Sequence, residues 1–196
     1  MFFDKCLGWQ GLLIEAQPQS YRRVIENRPW AIKLSFSPTC RNERETERLY
    51  NYPLSNNGIE GLAKSYSGKE TIEVPCGPLT PVLLDTFGPR LSFLSLDVEG
   101  AELRVLETLN FTALSVEVIL VEIQNAHCAE GNCIGVHRMR RRMALTGKYA
   151  LFVDFLEASD VYVLRASRAW RRAMKIQTAR ISQGQGQGSR VPRLPG

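Results

Sequence analysis

Three carboxylates crowd into six residues at Asp97-Val98-Glu99-Gly100-Ala101-Glu102, directly after the apolar run Leu91 to Leu96. Like charges at a strand-to-helix turn repel, which can lift one carboxyl toward the range of a general base. The free amides and dipole of a helix starting there would offset part of that repulsion. The same residues also suit plain capping, with Asp97 or Glu99 accepting from first-turn amides and Glu102 in water. Two further carboxylates stand at comparable places. Glu15 closes the short apolar run from Gly11, and Glu122 lies near the end of Val116 to Ile123. A carboxylate at such a strand tip can accept both hydroxyls of a ribose, as in dinucleotide-binding sheets. A solvated strand-end charge is the other reading of Glu15.

Other chemistry-bearing groups point less far. His127, Cys128, Cys133 and His137 offer metal-ligand types, but Cys-x4-Cys followed by one His matches no common structural zinc spacing, so no metal is expected. Arg138, Arg140, Arg141 and Arg142 could clamp an anionic substrate or lipid headgroups, although a solvated helix face fits them better. Five cysteines at irregular spacing do not read as a disulfide framework, and buried reduced thiols are expected.

The elements that must position these groups follow from periodicity. Gly11 to Glu15 and Ala31 to Phe36 are short apolar runs suited to strands buried on both faces, and Pro18 to Asn27 between them has helical spacing behind an N-terminal proline. Thr39 to Gly68 is polar and reads as a long excursion with a mobile middle from Tyr52 to Gly61. Thr71 to Val74 predicts a strand and Pro78 to Phe87 a helix. Leu91 to Leu96 is a strand, Glu102 to Leu109 a helix, and Val116 to Ile123 a further strand. Val136 to Leu145 is a basic amphipathic helix, and Tyr149 to Phe155 with Val161 to Leu164 predicts an antiparallel pair. Alternating strands and helices imply a three-layer α/β fold in which ligands sit outside the carboxyl ends of the strands. Glu15, Asp97 and Glu122 all fall at such ends, so the tips at 15 and 97 are expected to face one crevice at one rim of a parallel sheet.

The chain has 196 residues, enough for one domain with a substantial core. Its net charge of +5 is that of a tail: residues 165 to 196 hold eight basic and no acidic residues, which leaves the remainder at −3. That gives no support to a nucleic-acid-binding core. The tail itself could hold phosphates or touch an anionic membrane surface. A helix is expected from Ala166 to Ile176 with Trp170 and Met174 on one side, and disorder from Ser182 onward. There is no apolar stretch of roughly 20 residues and no signal-peptide pattern at Met1, so a cytoplasmic location is the expectation.

Several strings, in this order and spacing, resemble the FkbM methyltransferase family. They are Leu7-Gly8-Trp9-Gln10-Gly11-Leu12-Leu13-Ile14-Glu15, Asn27-Arg28-Pro29, Val74-Pro75-Cys76-Gly77-Pro78-Leu79 and Leu94-Ser95-Leu96-Asp97-Val98-Glu99-Gly100-Ala101-Glu102-Leu103, followed by Val121-Glu122 and Asp160-Val161-Tyr162-Val163-Leu164-Arg165. The resemblance spans about residues 2 to 165, leaving 166 to 196 as a basic tail. It implies a Rossmann-like class I methyltransferase sheet with an antiparallel terminal strand pair. It also implies S-adenosylmethionine as cofactor and a hydroxyl of a small molecule or glycan as acceptor. By position, Glu15 would hold the cofactor ribose with Ala16 and Gln17 along that edge, and Phe36 and Ser37 would lie near the adenine. Asp97, Glu99 and Glu102 would be the catalytic turn, with Asp97 or Glu99 as base and Glu102 orienting the turn or binding the acceptor hydroxyl.

One departure stands out. The family's first strand and its glycine-containing loop, which wraps the methionine portion of the cofactor, lie upstream of Leu7-Gly8-Trp9. Here Met1 falls inside the helix that should follow that loop, so the sequence reads as an N-terminally incomplete domain. Two other functions compete. One is a catalytically inactive interaction module, as in trafficking proteins of the Star type; the other is a metal-dependent hydrolase using the carboxylate turn.

Overall fold

In the computed structural model of the chain, the described residues are 2–42, 45–51, 59, 70–123, 134–165 and 167–182. They divide into two compact units: residues 1–86 with 98–109, and residues 87–97 with 110–196.

The first unit begins with α1 (Phe2–Leu7), which stops at Gly8, where a φ of 64° suits a residue without Cβ. β1 (Leu12–Ile14) and β2 (Ile32–Leu34) pair in parallel, joined by α2 (Pro18–Asn27). Glu15 N donates to Leu34 O at 3.1 Å and extends that ladder by one bond. α2 starts where the sequence says it should: Gln17 is its N-cap, its side-chain oxygen accepts from the amides of Gln19 and Ser20, and Pro18 takes the first turn, where no amide is needed.

The polar excursion contains a strand that its charge concealed. β3 (Glu45–Tyr50) pairs antiparallel with β4 (Thr71–Cys76), and Leu49 and Val74 meet Ile59 and Ala101 in a buried cluster lined by Ala16, Ile72 and Val98. The middle of that excursion, expected to be mobile, lies almost wholly outside the described residues. α3 (Leu79–Phe87) and α4 (Glu102–Thr108) are tied together by Thr108. Its hydroxyl accepts from Leu79 N at 3.2 Å, and its carbonyl accepts from the Thr80 hydroxyl at 2.9 Å.

The second unit is a four-stranded sheet in the order β5–β6–β8–β7. β5 (Arg90–Leu96) and β6 (Ser115–Glu122) run parallel, whereas β7 (Tyr149–Leu156) and β8 (Ser159–Leu164) form the expected antiparallel pair and join β6 through β8. Alternation along β8 assigns its two faces. Val161 and Val163, with Ala150 and Phe152, receive Ala169, Trp170, Ala173 and Met174 of α6 (Arg168–Ser182). Asp160 and Tyr162 face α5 (Ile134–Ala144), whose Val136, Met139 and Met143 are buried.

One Rossmann-like sheet, without its first strand and ending in an antiparallel pair, was expected; the described residues form three separate sheets. β1 and β5 each hydrogen-bond to one neighbouring strand and keep one open edge. The tips at 15 and 97 therefore end strands of different sheets, and the expected shared rim of one sheet is not formed by these strands. The physical reason is pairing: no described strand bonds to the second edge of either one.

Candidate functional site

Each unit offers one parallel pair of strands with candidate site residues beyond its carboxyl ends. In the first unit these are Glu15 to Gln17 after β1 and Phe36 to Thr39 after β2. In the second they are Asp97 after β5 and Glu122 at the end of β6.

Glu15 turns back on its own chain: Oε1 accepts from Gln17 N at 2.8 Å. Burial pushes its carboxyl above the ordinary glutamate value, and the amides of Gln17 and Ala16 only partly offset this. Ala16 packs on the buried cluster of the first unit. Gln17 is 2% exposed; its side-chain oxygen caps α2, but its Nε2 has no hydrogen-bond partner among the described residues. A buried amide donor left unpaired costs roughly 1–3 kcal/mol, so it marks a place where an acceptor is missing.

Ser37 is differently placed. Its hydroxyl donates to Glu47 Oε2 at 3.3 Å and lies 2.8 Å from the Thr39 hydroxyl, which also bonds Glu47. Its amide donates to Pro75 O and its carbonyl accepts from Gly77 N. The Ser37 side chain is thus engaged within the fold, while Phe36 beside it remains half-buried. Glu47 also pairs with Arg104, which closes a network that sequence reasoning missed. Its only signal was the apolar pair Leu49-Tyr50 at the end of an otherwise polar run.

Cys40 and Cys76 are joined by a disulfide with Cα atoms 5.5 Å apart, which corrects the expectation of reduced thiols. An odd cysteine count hid the pair, and the bond ties the segment after β2 to the end of β4. Glu47 approaches both sulfurs, but these are committed to each other and offer no thiolate to a metal. Cys6 is free and exposed. His127, Cys128 and Cys133 of the considered metal group lie outside the described residues.

The turn after β5 is locally unusual. Glu99 has a φ of 53° and Gly100 a φ of 96°, and left-handed backbone at a non-glycine residue is strained. Glu102 holds it. At 2% exposure its Oε1 accepts from Val98 N at 3.1 Å and Gly100 N at 3.2 Å. The expectation of a solvated Glu102 in a capping turn is therefore replaced by a buried acceptor that shapes the turn. Asp97 is exposed, and its carboxylate lies within 4.8 Å of that of Glu122. Two acidic groups at the ends of adjacent parallel strands can accept a proton or orient a hydroxyl.

The arginine run of α5 divides by direction. Arg140 points inward and forms a two-pronged pair with Asp160, both contacts at 2.8 Å, where Asp160 is 1% exposed. Tyr162 donates to the same carboxylate at 3.1 Å, and burial together with the Asp160 charge holds its phenol protonated. Arg142 stacks over Phe111 at 5.5 Å. Neither of these arginines is a free anion clamp.

Among the described residues no helix is long and apolar enough to cross a membrane. No curated protein and no solved structure is detectably similar to the chain. A family model described as the methyltransferase FkbM domain matches residues 1–160, which include both acidic strand tips and the strained turn. The chain belongs to the FkbM methyltransferase family.

Proposed function

We propose that the chain acts as an S-adenosylmethionine-dependent O-methyltransferase with a Rossmann-like site, on a hydroxyl of a small molecule or sugar. One observation carries this reading. At the tip of β1, Glu15 is desolvated beyond what its two backbone bonds offset, and Gln17 beside it buries an amide donor with no acceptor. Both are the complement of a ligand carrying hydroxyl donors and an acceptor atom, which fits a ribose and its neighbouring ring.

S-adenosylmethionine would supply an electrophilic methyl group. The chain's residues supply the rest. Glu15 and Gln17 would hold the ribose edge, with Ala16 as apolar floor and the backbone near Phe36 beside the adenine. Asp97, neighboured by Glu122, is the residue to accept the proton from the acceptor hydroxyl. Glu99 and Glu102 are positioning residues of that turn. The greater part of the acceleration would come from alignment of the reacting atoms.

Calorimetric titration with S-adenosylmethionine tests this, on the chain itself and on one extended by its upstream coding sequence. Saturable binding that weakens at least tenfold in Glu15→Ala is expected. No binding to either protein, or binding unchanged when Glu15→Ala and Asp97→Ala are combined, overturns the proposal.

A further inference from the structure

α6 has a side that the fold does not use. Arg168, Arg171, Arg172 and Lys175 follow the i, i+3, i+4, i+7 spacing that aligns residues on one side of a helix over two turns. All four are exposed. The opposite side, Ala169, Trp170, Ala173 and Met174, packs on Phe152 and its neighbours in the sheet. The helix is thereby held in one orientation with its cations outward. Residues 165–196 contain no acidic residue, and none of the four side chains has an ion-pair partner among the described residues. Keeping four like charges aligned and unpaired brings the fold only mutual repulsion.

We propose that this stripe docks the protein on an anionic lipid bilayer. The stripe is a straight row on one convex helix side, which matches a flat charged surface better than it matches a single phosphate requiring converging donors. Single-stranded nucleic acid fits less well, because its binding relies on exposed rings for stacking. The ring of the helix, Trp170, is taken up by Phe152 at 5.8 Å and by Arg165 at 5.5 Å. Ile176, 47% exposed and flanking Lys175, is an apolar chain available to the headgroup region. The stripe lies outside the family-matched residues 1–160.

The test is co-sedimentation of the full chain with phosphatidylcholine vesicles, with and without roughly a third phosphatidylserine, a charge density at which each basic residue contributes about fivefold in partitioning. Binding is expected only to the anionic vesicles and is lost in about 0.5 M salt, where charges are screened within ~4–5 Å. R168Q/R171Q/R172Q/K175Q lowers partitioning by ~100-fold or more, the compounded effect of four such contacts. R168K/R171K/R172K, which keeps the charge, retains binding and guards against a folding defect. The proposal is overturned by binding equal on neutral vesicles, by an unaffected glutamine variant, or by loss in the lysine variant. Tighter binding of a single-stranded oligonucleotide than of the anionic vesicles at the same salt overturns it as well.

Discussion

Replacing Glu102 separates a residue that shapes the turn from one that moves a proton. Its Oε1 accepts from Val98 N at 3.1 Å and Gly100 N at 3.2 Å while the side chain is 2% exposed. Glu102→Ala leaves two partly buried amides without an acceptor, at about 1 kcal/mol each, and removes packed atoms worth about 1 kcal/mol more. The expected loss is ~2–3 kcal/mol, or roughly 5–10 °C in melting temperature for a chain of this size. Glu102→Gln keeps an oxygen in the same place and should cost less than ~1 kcal/mol. The assay is thermal and urea unfolding of both variants beside methyl-transfer rates. An amide as destabilising as alanine would refute the acceptor argument. A glutamine variant that is stable yet slowed as much as Asp97→Asn would refute the positioning role and make Glu102 a proton carrier.

Asp97→Asn should leave the fold intact and lower transfer ~10²–10⁴-fold, the range for a lost general base, as read from single-turnover rates. Arg140→Ala strands the buried Asp160 charge and should cost ~3–5 kcal/mol, whereas an apolar replacement of Arg140 and Asp160 together recovers most of it in urea melts. The raised carboxyl of Glu15 contributes stability that is complete below the unfolded value and is lost as pH rises through the folded value. Glu15→Gln should therefore raise the ligand-free melting temperature at pH 7 and leave it unchanged near pH 4, while weakening cofactor binding; no gain at pH 7 would contradict a desolvated carboxylate. Reducing Cys40–Cys76, with its separation of 36 residues, removes a cross-link worth up to about 4 kcal/mol by loop-closure entropy, measured as urea midpoints with and without dithiothreitol.

Much of the local structure was legible because its signals are local. Pro18 behind a capping Gln17 sets the start of α2, and the apolar run ending at Leu96 and the alternation of β8 set their strands. β3 was missed because Glu45, Glu47 and Arg48 give it the composition of a loop; its buried members, Leu49 and Tyr50, are confined to one end. The disulfide and the Arg140–Asp160 pair were missed for another reason. Both join residues brought together only by tertiary folding, and no spacing within one element announces them. That β3 and β4 form a sheet of their own was equally hidden, since which strand edges meet is decided by pairing partners rather than by any strand's own pattern.

The structure sorts its carboxylates by how completely they are answered. Asp160 has an arginine and a phenol, Glu47 an arginine and two hydroxyls, and Glu102 two backbone amides. These are buried charges that the fold itself has reason to keep. Glu15 is burdened by burial that its backbone bonds do not cancel, and Gln17 adds a buried donor with nothing to donate to. Such costs have no return in the isolated fold, and natural sequences tend to tolerate local inconsistency where function demands it. The strained backbone at Glu99, beside the exposed Asp97, belongs to the same class. Two motifs from distant parts of the sequence thus carry unrepaid local cost, and both lie within the residues matched by the methyltransferase family. Those local costs, rather than the number of acidic residues, are the physical argument for the proposed cofactor and acceptor sites.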